Sequence, residues 1–169
     1  MRVYIPITVD QLANHALNPG NNTWQLPPGI VHGVTSLLRV QYPEADDEEL
    51  EWEAFNNATD DSLALIRQDA SATPLRAVLS VDIPSSSINQ SGNSMLPAGA
   101  TASSLAISEV PNAEIAAIHV DERDLAQTIA PLQAGHPATK TQNQKLDDAH
   151  LLWYHPSEIP QLLSDSNIH

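Results

Sequence analysis

At 169 residues the chain is long enough to bury one core without disulfide or metal staples. It has no cysteine, which excludes disulfides, thiolate metal sites and a cysteine nucleophile. Its formal charge of −14, from 21 acids against 7 scattered bases, opposes nucleic acid and anionic lipid and fits a basic protein partner or self-association.

RVYIPIT at 2–8 reads as a first strand, with Val3, Ile5 and Ile7 alternating and Pro6 suggesting an edge or an end. Thr8-Val9-Asp10-Gln11 fits a capping box for a short helix to about Leu17, stopped by the NPG at 18–20. NPGNNTWQLPPG at 18–29 reads as loop, and IVHGVT at 30–35 as a short strand. Thr35 can cap a helix over about 36–42, ended by Pro43.

Over 46–69, Leu50, Ala54, Ala58, Leu65 and Ile66 recur at helical spacing, and acids crowd the first turn where the helix dipole favours them. LRAVLSVDI at 75–83 is a strand, and PSSSINQSGNSMLPAGATAS at 84–103 a mobile loop. SLAISEV at 104–110 leads through Pro111-Asn112 into the strand EIAAIHV at 114–120, after which Asp121 caps a helix to about Leu132.

AGHPATKTQNQKLDD at 134–148 reads as a second mobile loop, and HLLWY at 150–154 as the last strand. In WYHPSEIPQLL, Pro160 is tolerated only near a helix start, which places Ser157 at the N-cap and makes the stretch a strand-to-helix junction. Strands alternating with helices predict one α/β domain over 1–169, with a mixed sheet of about five or six strands and helices packed on it. An α+β fold with a mostly antiparallel sheet is the alternative. No apolar run is long enough to span a membrane. The N-terminus lacks the apolar centre and cleavage site of a signal peptide, so a cytoplasmic protein is expected.

MRVY-I-P at the start, VTSLLRVQYPEADDEELEWEA at 34–54, EIAAIHVD at 114–121 and WYHPSEIPQLL at 153–163 resemble an uncharacterised actinobacterial family of short acidic cytoplasmic proteins. The likeness runs nearly the full chain in order. It departs in the polar stretches 84–103 and 134–148, and at Ser36, where the family tends to have proline. The resemblance implies a single cytoplasmic domain and brings no activity, cofactor or catalytic residue.

The nearest approach to a catalytic or metal site is His119 with Asp121 and His155, at the ends of expected strands, with Glu158, Thr8 and Asp10 facing the same edge. The structural reading of the same residues is capping and turn chemistry. Glu44 to Asp61 holds nine acids and no Lys or Arg, without the central glycine of a calcium loop. It reads as a solvated helix face or as a recognition surface for a basic partner. The serines at 85–87 lack the strand–turn–helix context of a nucleophile elbow, and neither a phosphate-binding glycine loop nor H-E-x-x-H is present, so no cofactor is expected.

Two functions follow from these residues. The first is a non-enzymatic interaction or regulatory protein acting through an acidic surface. The second is a small metal-dependent or acid/base hydrolase with its site around His119, Asp121 and His155.

Overall fold

Strand β4 (Arg76–Asp82) is buried along nearly its whole length, which is why RAVLSVD has consecutive apolar residues at 77–79 instead of strict alternation, and why its Arg76 and Ser80 are buried as well. It is an inner strand of a seven-stranded sheet, six of whose strands run across it in the order Thr23–Leu26, Val110–Val120, Arg76–Asp82, Arg2–Thr8, Gly29–His32 and Ser104–Ile107. The computed structural model describes residues 1–14, 23–89 and 96–165. In chain order the other elements are β1 (Arg2–Thr8), α1 (Val9–Asn14), β2 (Thr23–Leu26), β3 (Gly29–His32), α2 (Ser36–Gln41) and α3 (Asp47–Gln68) before β4. After it come β5 (Ser104–Ile107), β6 (Val110–Val120), α4 (Ala126–Gln133), α5 (Lys140–Asp148), β7 (Leu152–Tyr154) and α6 (Ile159–Asp165).

Every ladder is antiparallel, so of the two sheet arrangements left open by the sequence the antiparallel one is present, in a single domain mixing helices and strands. β2 and β7 share one side of β6: β2 pairs near Val110–Glu114, and β7 pairs Ile118↔Tyr154, His119↔Trp153 and Val120↔Leu152. Pro111-Asn112 is part of β6. Leu26↔Val110 and Trp24↔Ala113 leave two β6 residues opposite Gln25, and this bulge accommodates a proline that has no amide to give.

Each sheet face has its own core. On one, Val3, Ile7, Leu79, Val81 and Ile118 meet Val9 and Leu12 of α1 and Ile159 and Leu162 of α6. On the other, Tyr4 and Val78 meet Leu38 of α2 and Leu50, Ala54, Phe55 and Ala58 of α3. A third cluster joins Ile66 of α3 to Ile129 and Leu132 of α4 and Leu146 of α5. Burying one such leucine or isoleucine contributes roughly 1.5–3 kcal/mol.

The Thr8 and Thr35 caps form as expected, and a third cap, at Asp46, is added by the structure. Thr8 and Gln11 exchange both capping-box bonds, and Thr35 Oγ1 accepts from the Leu38 amide. Asp46 and Glu49 close a capping box at the start of α3. The expected end of α1 near Leu17, its NPG stop and part of the 84–103 loop lie outside the described residues.

Several expectations are corrected. Pro6 is neither on an edge strand nor at a strand end: it lies inside β1, between β4 and β3, opposite Val78 of β4, while β3 is in register with β1 only at Tyr4↔His32. The stretch 18–29 contains β2, and 134–148 contains α5, started by a Thr139–Gln142 capping box. Within 84–103, Ser85–Ser87 form a 3-10 turn, and Asn89 donates its amide to Ala106.

Asp121 caps no helix; it is a buried partner of Arg76. Ser157 is not the N-cap either. His155 Nδ1 accepts from the Ser157 amide at 3.2 Å, and Glu158 accepts from the His155 amide at 2.7 Å. Pro156 then opens a 3-10 turn that runs into α6. The helix therefore begins earlier than Pro160 alone requires, because a histidine ring nitrogen can accept as a carboxylate or hydroxyl does.

Candidate binding cleft between α3 and α5

The strand-end residues proposed from sequence do not assemble. His119, on the α3 side of β6, has Nε2 2.9 Å from Ser80 Oγ and its ring 4.8 Å from that of Phe55. Asp121 is committed to Arg76, His155 to Ser157, Glu158 to the His155 amide, Thr8 to Gln11 and Asp10 to Thr73. No hydrogen bond joins any two of His119, Asp121 and His155. No group of three or more His, Asp or Glu side chains that could hold a metal occurs among the described residues.

Burial pushes the His119 imidazole down to about 4, with the Arg2 cation adding to the effect. The unfolded chain therefore takes a proton before the folded one as pH falls. The His119 contribution to stability is complete above about 6.5 and is lost progressively down to about 4, for a total of about 3 kcal/mol. His119→Gln should remove this component. Urea unfolding of wild type and variant between pH 4 and 7 checks it, and a stability difference that stays constant over that range would contradict it.

A second polar arrangement was not readable from sequence. His32 Nδ1 lies 2.8 Å from Ser103 Oγ, and His32 Nε2 lies 3.0 Å from Asp61. The order serine–histidine–aspartate suggests an acyl-transfer site. The burial runs the wrong way: Ser103 is 0% exposed, whereas the Asp61 side chain is 53% exposed. A nucleophile must meet substrate, so this relay is structural and ties the segment before β5 to α3. Its parts are 71 and 29 residues apart, and no local pattern announces it.

The groups left uncommitted converge elsewhere. A cleft of about 390 Å³ opens between α3, α5 and residues 149–151. Its floor is apolar, from Phe55, Leu63, Leu146 and Leu151. Its rim carries Asn56 and Asp60 from α3, Asn143 and Asp147 from α5, and His150. None of these five side chains makes a hydrogen bond among the described residues. Trp52 forms one wall. Its ring stacks on Phe55 at 5.7 Å and 19°, His150 stands 6.0 Å away, and the residue is 51% exposed.

The cleft walls shield the Asp60 carboxyl, although the residue as a whole is exposed, and raise its pKa. Negative charge on Asp147 raises it further, while Arg76 opposes the shift. Arg76 itself lines the cleft and its charge reaches Asp60, but it pairs with Asp121 and not with Asp60 or Asp147. Its Nε and Nη2 are held by Asp121 at 2.9 Å, and Nη1 by the Leu146 carbonyl at 3.3 Å. A larger hollow of about 710 Å³ lies where β7 meets α6, but its Asp121 and Glu158 carboxylates are bonded within the chain, and its Glu122 and Asp124 share the lining with the Arg123 guanidinium. The smaller cleft is therefore the better candidate: an aromatic wall, an apolar floor and two carboxylates that form no ion pair among the described residues select for a cation.

A family model described as a family of unknown function (DUF6912) matches residues 1–163. The chain belongs to that family. No curated protein and no solved structure matches it. No helix among the described residues is long and apolar enough to cross a membrane.

Proposed function

For this DUF6912 member we propose a role as a cytoplasmic, non-enzymatic interaction protein that receives a basic segment of a partner protein on the acidic surface of α3. One observation carries the reading. Of the nine acids between Glu44 and Asp61, Asp47 pairs with Arg39 and Asp61 with His32, and the others have no basic partner among the described residues. Asp46, Glu48, Glu49, Glu51 and Asp60 are all exposed. Repulsion along such a helix is a standing cost that a basic ligand relieves. The same charge opposes face-to-face pairing of two copies through this helix, which favours a basic partner over self-association.

The test is fluorescence anisotropy with a labelled peptide of alternating arginine, lysine and glycine. Binding should weaken steeply as sodium chloride rises past roughly 0.1 M, where the Debye length falls to about 10 Å. It should be lost in Glu48→Lys/Glu49→Lys/Glu53→Lys. Absence of binding at low salt, or binding unchanged in the triple variant, would refute the reading.

A further inference from the structure

We propose that the cleft between α3 and α5 is a pocket for an arginine side chain, taking the guanidinium against Trp52 and between the carboxylates of Asp60 and Asp147. This inference rests on the reading of the chain as a receptor for a basic partner, and it names the group that anchors the partner.

Three features distinguish guanidinium from other cations. The first is acceptor supply. Asp60 and Asp147 offer carboxylate oxygens and Asn56 and Asn143 carboxamide oxygens, all without hydrogen-bond partners among the described residues. A guanidinium brings five N–H donors in a plane, whereas an ammonium brings three around a point.

The second is the wall. Trp52 stacks one side of its ring on Phe55 and remains 51% exposed, which suits a flat cation that can lie against an indole. The third is the floor. Phe55, Leu63, Leu146 and Leu151 provide no replacement for a tightly held hydration shell, and guanidinium is the more weakly hydrated cation. A divalent metal is a poor fit, because no set of three or more His, Asp or Glu ligands occurs among the described residues. The cleft walls raise the Asp60 pKa and the charge of Asp147 adds to the shift, while Arg76 opposes it, so a cation placed beside Asp60 meets a carboxyl that burial disfavours in its charged form.

The probes are Nα-acetyl-argininamide, Nα-acetyl-lysinamide and Nα-acetyl-citrullinamide, titrated into the full chain. The readout is the NMR shift of the Trp52 indole and of the Asn56 and Asn143 side-chain amides. Citrulline keeps the shape of arginine and removes its charge. Arginine should bind at least roughly two- to fivefold tighter than lysine, as expected for a favourable ring contact. Citrulline should not bind, and Asp60→Asn/Asp147→Asn should abolish the arginine shifts. Both substitutions are at exposed residues, and a circular dichroism melt shows whether the fold is kept. Equal binding of lysine, binding of citrulline, or arginine shifts that survive the double variant would overturn the proposal. If the basic peptide still binds while argininamide does not, the pocket falls and the acidic-surface reading stands. If argininamide binds while the triple lysine variant leaves peptide binding unchanged, the surface reading falls alone.

Discussion

Asp121→Ala is expected to lower stability by about 3–5 kcal/mol, the range for breaking a buried ion pair on one side. The Asp121 carboxylate accepts from Arg76 Nε and Nη2 at 2.9 Å each and from the Arg76 amide at 2.8 Å. The two side chains are 4% and 0% exposed. Removing the acid leaves a guanidinium in the interior that cannot shed its proton and has little water to turn to. The pair itself need not be strongly stabilising, since desolvating two charges offsets much of their attraction. Arg76→Met with Asp121→Leu should therefore cost clearly less than Asp121→Ala. Urea unfolding with unchanged slope measures both. A loss under about 1 kcal/mol for Asp121→Ala would mean that water reaches the pair. Because Arg76 Nη1 also holds the Leu146 carbonyl of α5, Asp121→Ala should loosen one wall of the cleft as well.

That pair shows where sequence reading reaches its limit. An aspartate just after a strand reads equally as a helix cap or as an ion-pair partner. The residue that decides, Arg76, lies 45 positions away. What was legible was local: the helix α3 with its acidic first turn, the Thr8–Gln11 capping box, the Thr35 cap and the apolar run of β4. Each rests on contacts within a few residues.

β2 was hidden because TWQL sits between Asn- and Pro-rich stretches, and its justification is the long-range ladder to β6. α5 is hidden because KTQNQKLDD has a single apolar residue, Leu146, so the segment as a whole is too polar to show an apolar stripe. Its capping box, Thr139 to Gln142, is a local signal, but the polar residues around it read as loop. The cleft inherits that gap. Its α3 wall lies within the acidic stretch singled out from sequence, whereas the α5 wall could not be placed without the helix.

Ser62→Ala is the substitution of one oxygen that should reveal how α3 is fastened to the sheet. The Ser62 hydroxyl donates to the Ile7 carbonyl at 2.7 Å and accepts from the Ala77 amide at 2.9 Å. Ile7 and Ala77 are register partners across the β1–β4 ladder, and Ser62 is 0% exposed. No water can replace the hydroxyl without opening the core, so alanine leaves a donor and an acceptor unpaired at roughly 1–3 kcal/mol each. Thr59→Val in the same helix is the matched comparison. Its hydroxyl bonds only the Phe55 carbonyl one turn back, which the helix itself already satisfies, so that loss should stay within about 1 kcal/mol. Hydrogen exchange supplies a local readout: the Ala77 amide should exchange faster in Ser62→Ala by more than global stability explains, and should not in Thr59→Val. Equal costs for the two variants, or an Ala77 amide that stays protected, would show that β1 and β4 close directly on each other and that α3 is held by its apolar contacts alone.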